Sequence, residues 1–158
     1  MDIIKQLHKQ CIAKRISVSV AESCTSGLIA SKLSQESGSS SFFKGGFVAY
    51  QNEIKVNVLG VSQSLIDEKT EVSFEVVEQM ALSAQKKFNT DFSVATSGYA
   101  GPSGGTENNP VGTVFIAVAN SQNVFSLKFI FKGSRESIVN QATEKSLELL
   151  LDDVKKHK

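Results

Sequence analysis

Residues 21–27, Ala-Glu-Ser-Cys-Thr-Ser-Gly, constrain the fold of this chain more than any other stretch. They follow a short β-branched run at 16–20 and precede a helical apolar pattern that starts at Leu28. A strand that turns directly into a helix places the turn at the helix N-terminus, where backbone N–H groups lack intrahelical partners and the dipole favours negative charge. The segment therefore predicts an α/β unit whose strand end is open to a ligand.

The side chains of this turn allow two interpretations. Ser23, Cys24 and Thr25 are all capable nucleophiles. Ser23 or Thr25 is also explained as the N-cap of the helix, because both residue types are favoured caps and caps are far commoner than nucleophiles. Ser26 and Gly27 are small enough to let a ligand approach the backbone closely. The turn alone leaves the choice between a cap and a nucleophile open.

Helical and strand patterns alternate along the rest of the chain. Helices are predicted over residues 2–15, 28–35, 64–68 (short helix or turn), 74–88 (capped by Ser73) and from 134–136 onward, and strands over 16–21, 45–50, 92–96, 111–119 and 124–131. The last two strands are joined as a hairpin through residues 120–123. This order predicts a three-layer α/β/α domain over 1–158 with a mixed, mostly parallel β-sheet containing one antiparallel hairpin. Ligands of such sheets bind where strands pass into helices or loops, here at 22–27, 50–55 and 97–106.

Composition excludes several classes of function. The 158 residues carry a net charge of +1, with 41% hydrophobic and 21% charged side chains, so no global field favours nucleic acid or a membrane surface. Cys11 and Cys24 suggest no disulfide framework, which favours a reducing, cytoplasmic setting. His8 and His157 lie near opposite ends, without the spacing of a metal site, and no apolar run reaches the roughly 18 residues of a membrane span. We expect neither a nucleic acid nor a membrane as partner, and no His/Cys metal site.

A lysine is the candidate base for Ser23, because no histidine is placed to complete a Ser-His-Asp triad. A lysine can act in this way if burial lowers its pKa. Lys55 follows the second predicted strand, close to Tyr50 and Asn52. Tyr50 would relay a proton or hold the lysine, and Asn52 would orient the lysine or the substrate. An exposed lysine and an edge-strand tyrosine would produce the same pattern.

Glycines mark two further candidate sites. The pair at 45–46 allows a bulge or a close approach, so Gly46 is a candidate substrate contact. Residues 97–106, which begin with Ser97 and Gly98, match neither a P-loop nor a dinucleotide fingerprint and form either a surface loop or a backbone cradle for an anion. Arg135 would add a phosphate contact there, or is simply an exposed side chain at a helix start.

An ordered series of motifs extends over residues 5–150. The main ones are Ala-Glu-Ser-Cys-Thr-Ser-Gly (21–27), Gly-Ser-Ser (38–40), Phe-Lys-Gly-Gly-Phe-Val-Ala-Tyr (43–50) with Asn52 and Lys55, Ala-Thr-Ser-Gly (95–98), Ala-Gly-Pro (100–102) and Pro-Val-Gly-Thr-Val (110–114). On these motifs the chain resembles the CinA C-terminal domain family, whose best-known members are nicotinamide mononucleotide amidohydrolases (PncC). So many motifs in one order make a chance match remote.

The resemblance implies a Ser/Lys amidohydrolase that converts nicotinamide mononucleotide and water to nicotinic acid mononucleotide and ammonia, without a metal or cofactor. Ser23 matches the nucleophile of the family, Lys55 its general base and Tyr50 the supporting position. The expected substrate contacts are Thr25, Ser26, Gly27, Gly46, Asn52, Ser97, Gly98 and Arg135.

The chain departs from the family pattern at several positions near these motifs. Ser26 replaces a glycine of a pair, Thr70 and Glu71 replace Gly-Ala, Tyr99 replaces an isoleucine and Asn109 a lysine. None of these changes removes a proposed catalytic group. They bear on substrate affinity rather than on the chemistry.

Two other functions remain open from the sequence. The chain could be a non-catalytic nucleotide-binding or competence-related interaction module, or a Ser/Lys amidase of another nucleotide-like amide. The joint presence of Ser23, Lys55 and Tyr50 favours an enzyme, since a binding module has no need of all three. The open edge of the predicted hairpin leaves room for a homodimer.

Overall fold

The computed structural model describes residues 2–158, in which the predicted helices and strands occur in the predicted order, together with one short helix at 52–57 that was not among the predicted elements. The elements are α1 (Ile3–Lys14), β1 (Val18–Glu22), α2 (Leu28–Leu33), a 3₁₀ turn (Ser39–Ser41), β2 (Phe43–Val48), α3 (Asn52–Asn57), α4 (Gln63–Lys69), α5 (Phe74–Phe88), β3 (Phe92–Gly98), β4 (Thr113–Ala119), β5 (Val124–Ile130) and α6 (Arg135–Lys156). Strand boundaries differ from prediction by up to two residues: β1 and β4 begin two residues later, β2 begins and ends two residues earlier, and β3 ends two residues later.

The sheet is mixed, with strand order β2-β1-β3-β4-β5. β1 pairs in parallel with β2 and β3, whereas β4 is antiparallel to both β3 and β5. Four strands therefore run in one direction and β4 runs against them, and β4–β5 is the predicted hairpin. The carboxyl ends of β1, β2 and β3 meet at one edge of the sheet. This arrangement brings the three predicted ligand-binding segments together.

Helices cover both faces of the sheet, which confirms the three-layer architecture. Successive strand residues point to opposite faces, so Val20 and Val94 pack toward α1, α2 and α6, while Ala21 and Ala95 pack toward α3, α4 and α5. α5 begins at Ser73 as predicted, with the Ser73 hydroxyl accepting the Val76 N–H at 3.3 Å. The two clusters of buried apolar side chains hold the strand ends at fixed positions.

Two kinds of feature are absent between residues 2 and 158. No helix there is long and apolar enough to cross a membrane. No group of three or more His, Cys, Asp or Glu side chains in the same range is placed to hold a metal ion. Cys11 and Cys24 are both buried and form no disulfide.

Candidate active site

Ser23 lies in the turn directly after β1, and the neighbouring strand β3 holds it in place. Its backbone N–H donates to the Thr96 carbonyl at 3.1 Å and to the Thr96 hydroxyl at 3.3 Å. The same hydroxyl is hydrogen-bonded to the Thr25 hydroxyl at 2.8 Å. Sequence reasoning missed Thr96 as a positioning residue. Its signals in the sequence are its place near the end of a predicted strand and its membership of the 95–98 motif; in the sheet it lies opposite Glu22.

Lys55 meets Ser23 at the edge of the sheet. It lies in the last turn of α3, and its side chain is directed inward and only 1% exposed. Its Nζ donates to Ser23 Oγ at 3.0 Å and to the Tyr50 carbonyl at 2.9 Å. The interpretation of Lys55 as an exposed lysine is therefore wrong. Among residues 2–158, no carboxylate oxygen lies within 4.0 Å of this nitrogen.

Burial lowers the pKa of Lys55 below its ordinary value, because the charged form loses its hydration. The Glu71 carboxylate opposes this shift, but burial is the larger effect. The neutral amine is the form that can accept a proton from Ser23. The site thus holds a hydroxyl and a desolvated amine at hydrogen-bond distance, which is the geometry of an activated nucleophile.

Cys24 is a weaker candidate nucleophile than its neighbour Ser23. The Cys24 side chain is buried within the apolar cluster under α1, α2 and α6. This burial raises the pKa of the thiol to about 12. Because the thiolate is the reactive form, a thiol with this pKa is unreactive near neutral pH. Ser23, which has Lys55 as a neighbour, is the better-supported nucleophile of the turn.

Glu22, rather than Ser23 or Thr25, caps the start of α2. The Glu22 side chain is fully buried, and its two carboxylate oxygens accept the N–H groups of Ile29 and Ala30, each at 2.9 Å. Neither side chain proposed as a cap bonds to the helix. The interpretation of Ser23 and Thr25 as caps is therefore wrong. It also follows that two of the N–H groups expected to face a ligand are already occupied.

Replacement of Glu22 by glutamine is expected to destabilise the protein. The glutamine would turn an NH₂ group toward one of the two backbone donors and leave that donor unsatisfied in a buried position, at a cost of about 1–3 kcal/mol. Urea unfolding of Glu22→Gln should show this loss in the free energy of unfolding. Glu144→Gln, an exposed position on α6, is the matched control and should change the value by less than about 0.5 kcal/mol. Equal values for both variants would contradict the capping role.

Tyr50 and Arg135 form a second part of the site. The Tyr50 side chain is 48% exposed, and its hydroxyl accepts a hydrogen bond from Arg135 at 2.6 Å. Arg135 also donates to the Gly101 carbonyl at 2.6 Å. It therefore joins the start of α6 to the loop after β3 and to the turn after β2. Tyr50 holds Lys55, as one of its two expected roles, and does so through its backbone carbonyl. Within the described chain Arg135 has no acidic partner, so its charge is available to an anion.

Packing within the protein explains three of the predicted substrate contacts. A Cβ atom at Gly46 would lie 2.2 Å from a side-chain carbon of β1, and one at Gly98 would lie 2.6 Å from the carbonyl oxygen of the first residue of β4. The Ser97 hydroxyl donates to the Glu71 carbonyl at 2.6 Å. Ser97 and Gly98 belong to β3 and not to the loop that follows it. Close packing and a hydrogen bond within the protein thus account for these three residues without a ligand.

The remaining predicted contacts lie around Ser23 and Lys55. Gly27 has a φ of +94° and Ser26 a φ of +49°, so Ser26 adopts a left-handed conformation that favours glycine. The Thr25 hydroxyl is engaged with the end of β3, which makes it a support of the turn. Asn52 begins α3 and is half-buried, and its amide makes no hydrogen bond within residues 2–158. Asn52 is thus free to contact a substrate.

Comparison with known sequences identifies the family of this chain. The family model for the CinA C-terminal domain matches residues 1–154. A CinA-like protein of Flavobacterium psychrophilum is 47% identical over 151 residues, which cover 96% of this chain and 36% of the relative. A CinA-like protein of Fervidobacterium nodosum is 45% identical over 144 residues, 91% of this chain and 35% of the relative. The chain thus spans about a third of the length of these curated relatives.

Solved structures agree with the sequence comparison. The competence damage-inducible protein A (ComA) of Klebsiella pneumoniae superimposes with a TM-score of 0.95 at 29% identity, covering 99% of this chain and 97% of that one. A competence/damage inducible protein of Agrobacterium tumefaciens gives 0.88 at 34% identity, with 96% of each chain covered. The names of these relatives state a family and no reaction. The chain belongs to the CinA C-terminal domain family.

Proposed function

We propose that this chain is an amidohydrolase with Ser23 as nucleophile and Lys55 as general base, and that its substrate is nicotinamide mononucleotide. The observation that carries the proposal is the 3.0 Å contact between Lys55 Nζ and Ser23 Oγ. A lysine buried to this degree, with no carboxylate oxygen within 4.0 Å of its nitrogen, is costly to charge, so a purely structural role explains it poorly. The family includes the PncC amidohydrolases, which supports the choice of amide.

The proposed reaction uses only groups of this chain and water. The neutral Lys55 amine takes the Ser23 proton as Ser23 Oγ attacks the carboxamide carbon, and the carbonyl oxygen becomes an oxyanion. The Lys55 ammonium then gives its proton to the amide nitrogen, the carbon–nitrogen bond breaks, and ammonia leaves. Water, deprotonated by the same amine, hydrolyses the Ser23 ester to the carboxylic acid. Lys55 finally returns the proton to Ser23 Oγ.

Backbone N–H groups of the turn are the proposed oxyanion donors. Those of Thr25 and Gly27 have no hydrogen-bond partner within residues 2–158, whereas those of Ile29 and Ala30 are used by Glu22. Fixed donors directed at a developing negative charge contribute strongly to acyl-transfer catalysis. The left-handed backbone at Gly27 turns the chain at this point. We propose that the oxyanion formed on the carboxamide accepts hydrogen bonds from these free groups.

The experiment that tests the proposed function is the release of ammonia from nicotinamide mononucleotide by the purified protein. Nicotinic acid mononucleotide should appear in equal amount by anion-exchange chromatography, and a metal chelator in the buffer should leave the rate unchanged. A folded protein that releases no ammonia would contradict the choice of substrate. Release from a different nucleotide amide in the same assay would retain the Ser/Lys mechanism and replace the substrate.

Arg135→Ala is expected to weaken substrate binding more than it slows turnover. The Arg135 guanidinium is uncompensated by any carboxylate in the described chain and is suited to a bidentate phosphate contact. We expect KM for nicotinamide mononucleotide to rise by about ten-fold or more, with kcat changed by less than about three-fold. Lys132→Ala, an exposed cation on the adjacent loop, is the control and should leave KM unchanged. A fall in kcat at constant KM would contradict the assignment.

A further inference from the structure

Glu71 carries a carboxylate beside the active site that nothing in the reaction above uses. The side chain is half-buried, and within residues 2–158 it accepts no hydrogen bond and forms no ion pair. It lies near enough to Lys55 and Tyr99 to raise the pKa of each, second in both cases to the effect of burial. A carboxylate held near buried groups without a partner is unfavourable unless something else compensates it.

The backbone around Glu71 is fixed without the help of its carboxylate. The Ser97 hydroxyl donates to the Glu71 carbonyl at 2.6 Å, and the Asn109 amide donates to the Val72 carbonyl at 3.3 Å. The Ser73 hydroxyl donates to the Thr70 carbonyl at 2.9 Å. The first two bonds tie residues 70–73 to the end of β3 and to the loop that joins β3 to β4. The carboxylate is thus positioned by its main chain and left free to meet a ligand.

Tyr99 adds an aromatic ring to the same place. It directly follows β3, and its backbone is held on both sides, by a bond from its N–H to the Thr113 carbonyl at 2.9 Å and by one from the Gly112 N–H to its carbonyl at 2.7 Å. The ring is half-buried against the apolar cluster that also contains Phe115. An aromatic ring beside a carboxylate is a suitable site for a flat cation, which the π face and the negative charge both attract.

We propose that Glu71 and Tyr99 form a subsite for a planar aromatic cation, the positively charged pyridinium ring of the substrate. The proposal rests on the function proposed above, since nicotinamide becomes such a cation when its ring nitrogen bears a ribose. The ligand then carries a positive ring and a negative phosphate. Glu71 offers this ligand a negative charge and Arg135 a positive one. Both lie near Lys55: Glu71 acts on it electrostatically, and Arg135 bonds to the hydroxyl of Tyr50, whose backbone carbonyl accepts from Lys55.

The test compares a charged ligand with a neutral one of the same shape. Nicotinamide mononucleotide and benzamide riboside 5′-monophosphate differ in having a ring nitrogen cation or a ring carbon at one position. Calorimetric titration of both into the Ser23→Ala protein measures binding without turnover. We expect the cationic ligand to bind about ten-fold more tightly than the neutral one. On the same background, Glu71→Gln should remove most of that difference by weakening the cationic ligand alone, and Tyr99→Leu should remove a smaller part.

Three controls separate recognition of the cationic ring from a general change in surface charge or a loss of folding. Glu75→Gln, an exposed carboxylate on the first turn of α5, should leave both dissociation constants unchanged. Glu71→Asp should keep part of the preference for the cation. Thermal unfolding of each variant verifies that it is folded at the temperature of the titration.

The outcomes distinguish the subsite from the reaction. Equal affinity of the two ligands in the parent protein, or an equal loss of both in Glu71→Gln, would overturn the subsite even if the wild-type protein hydrolyses nicotinamide mononucleotide. If the wild-type protein releases no ammonia, the proposed function fails, and the titration still decides whether Glu71 and Tyr99 select a cationic ring. No detectable binding of the cationic ligand would overturn the subsite as well.

Discussion

Ser23→Ala is expected to lose at least about 10⁴-fold in kcat while the protein remains folded. The substitution removes the atom that we propose attacks the carboxamide, and it leaves the rest of the site in place. Ser23 Oγ accepts from Lys55, but the backbone of Ser23 is held independently by Thr96. KM should therefore change little, and circular dichroism and the unfolding midpoint should match those of the parent protein.

Cys24→Ala is the matched comparison, because Cys24 is the adjacent alternative nucleophile. Its thiol is buried with a pKa of about 12, so the reactive thiolate is scarce near neutral pH. We expect Cys24→Ala to retain turnover within a few-fold, together with a stability loss from the small cavity left in the apolar cluster. Full activity in Ser23→Ala with loss in Cys24→Ala would exchange the two roles.

The fold was predictable because its signals are local and repeat along the chain. The spacing of apolar residues locates the helices and strands, and Ser73 marks the start of α5 through the same residue that caps it in the structure. The least accurate predictions concern strand ends. Ser97 and Gly98, for example, are residue types typical of a loop, yet they continue β3. Close packing leaves no room for a Cβ atom at Gly98, and the Ser97 hydroxyl bonds to a neighbouring carbonyl.

The site was predictable only in part, because several of its contacts join residues far apart in the chain. Ser23 and Lys55 could be proposed from a strand–turn–helix pattern and from the lack of a suitable histidine. Their contact bridges 32 residues and depends on β2 lying next to β1. Thr96 is separated from Ser23 by 73 residues, and its place in the 95–98 motif does not indicate that contact.

Glu22 illustrates a different reason for failure. A glutamate before a turn is expected to be exposed, and helix caps are expected within the turn itself. Here the chain reverses direction through Ser26 and Gly27, both with positive φ, so that α2 starts directly over the last residue of β1. The carboxylate then reaches two N–H groups seven and eight residues ahead. Only the three-dimensional turn reveals this cap.

Lys55→Met is expected to abolish turnover and at the same time to stabilise the protein. Without the amine, Ser23 keeps its proton and the leaving ammonia has no donor, so kcat should fall by about 10³-fold or more. Methionine fills a similar volume without a charge to desolvate, and we expect a gain of about 1 kcal/mol in the free energy of unfolding near neutral pH. Lys87→Met, at an exposed position on α5, should change neither quantity appreciably.

The pH dependence of stability shows whether the buried amine is the cause of that gain. The pKa of Lys55 in the folded protein lies below the 10.5 of an ordinary lysine. Between these two values the unfolded chain binds more protons than the folded one, so wild-type stability should rise with pH through that interval. Below the folded pKa the full cost of burying the charge is present, and the advantage of Lys55→Met is greatest there. The advantage should shrink as the pH approaches 10.5, and an advantage that stays constant with pH would mean that Lys55 is not desolvated as the site requires.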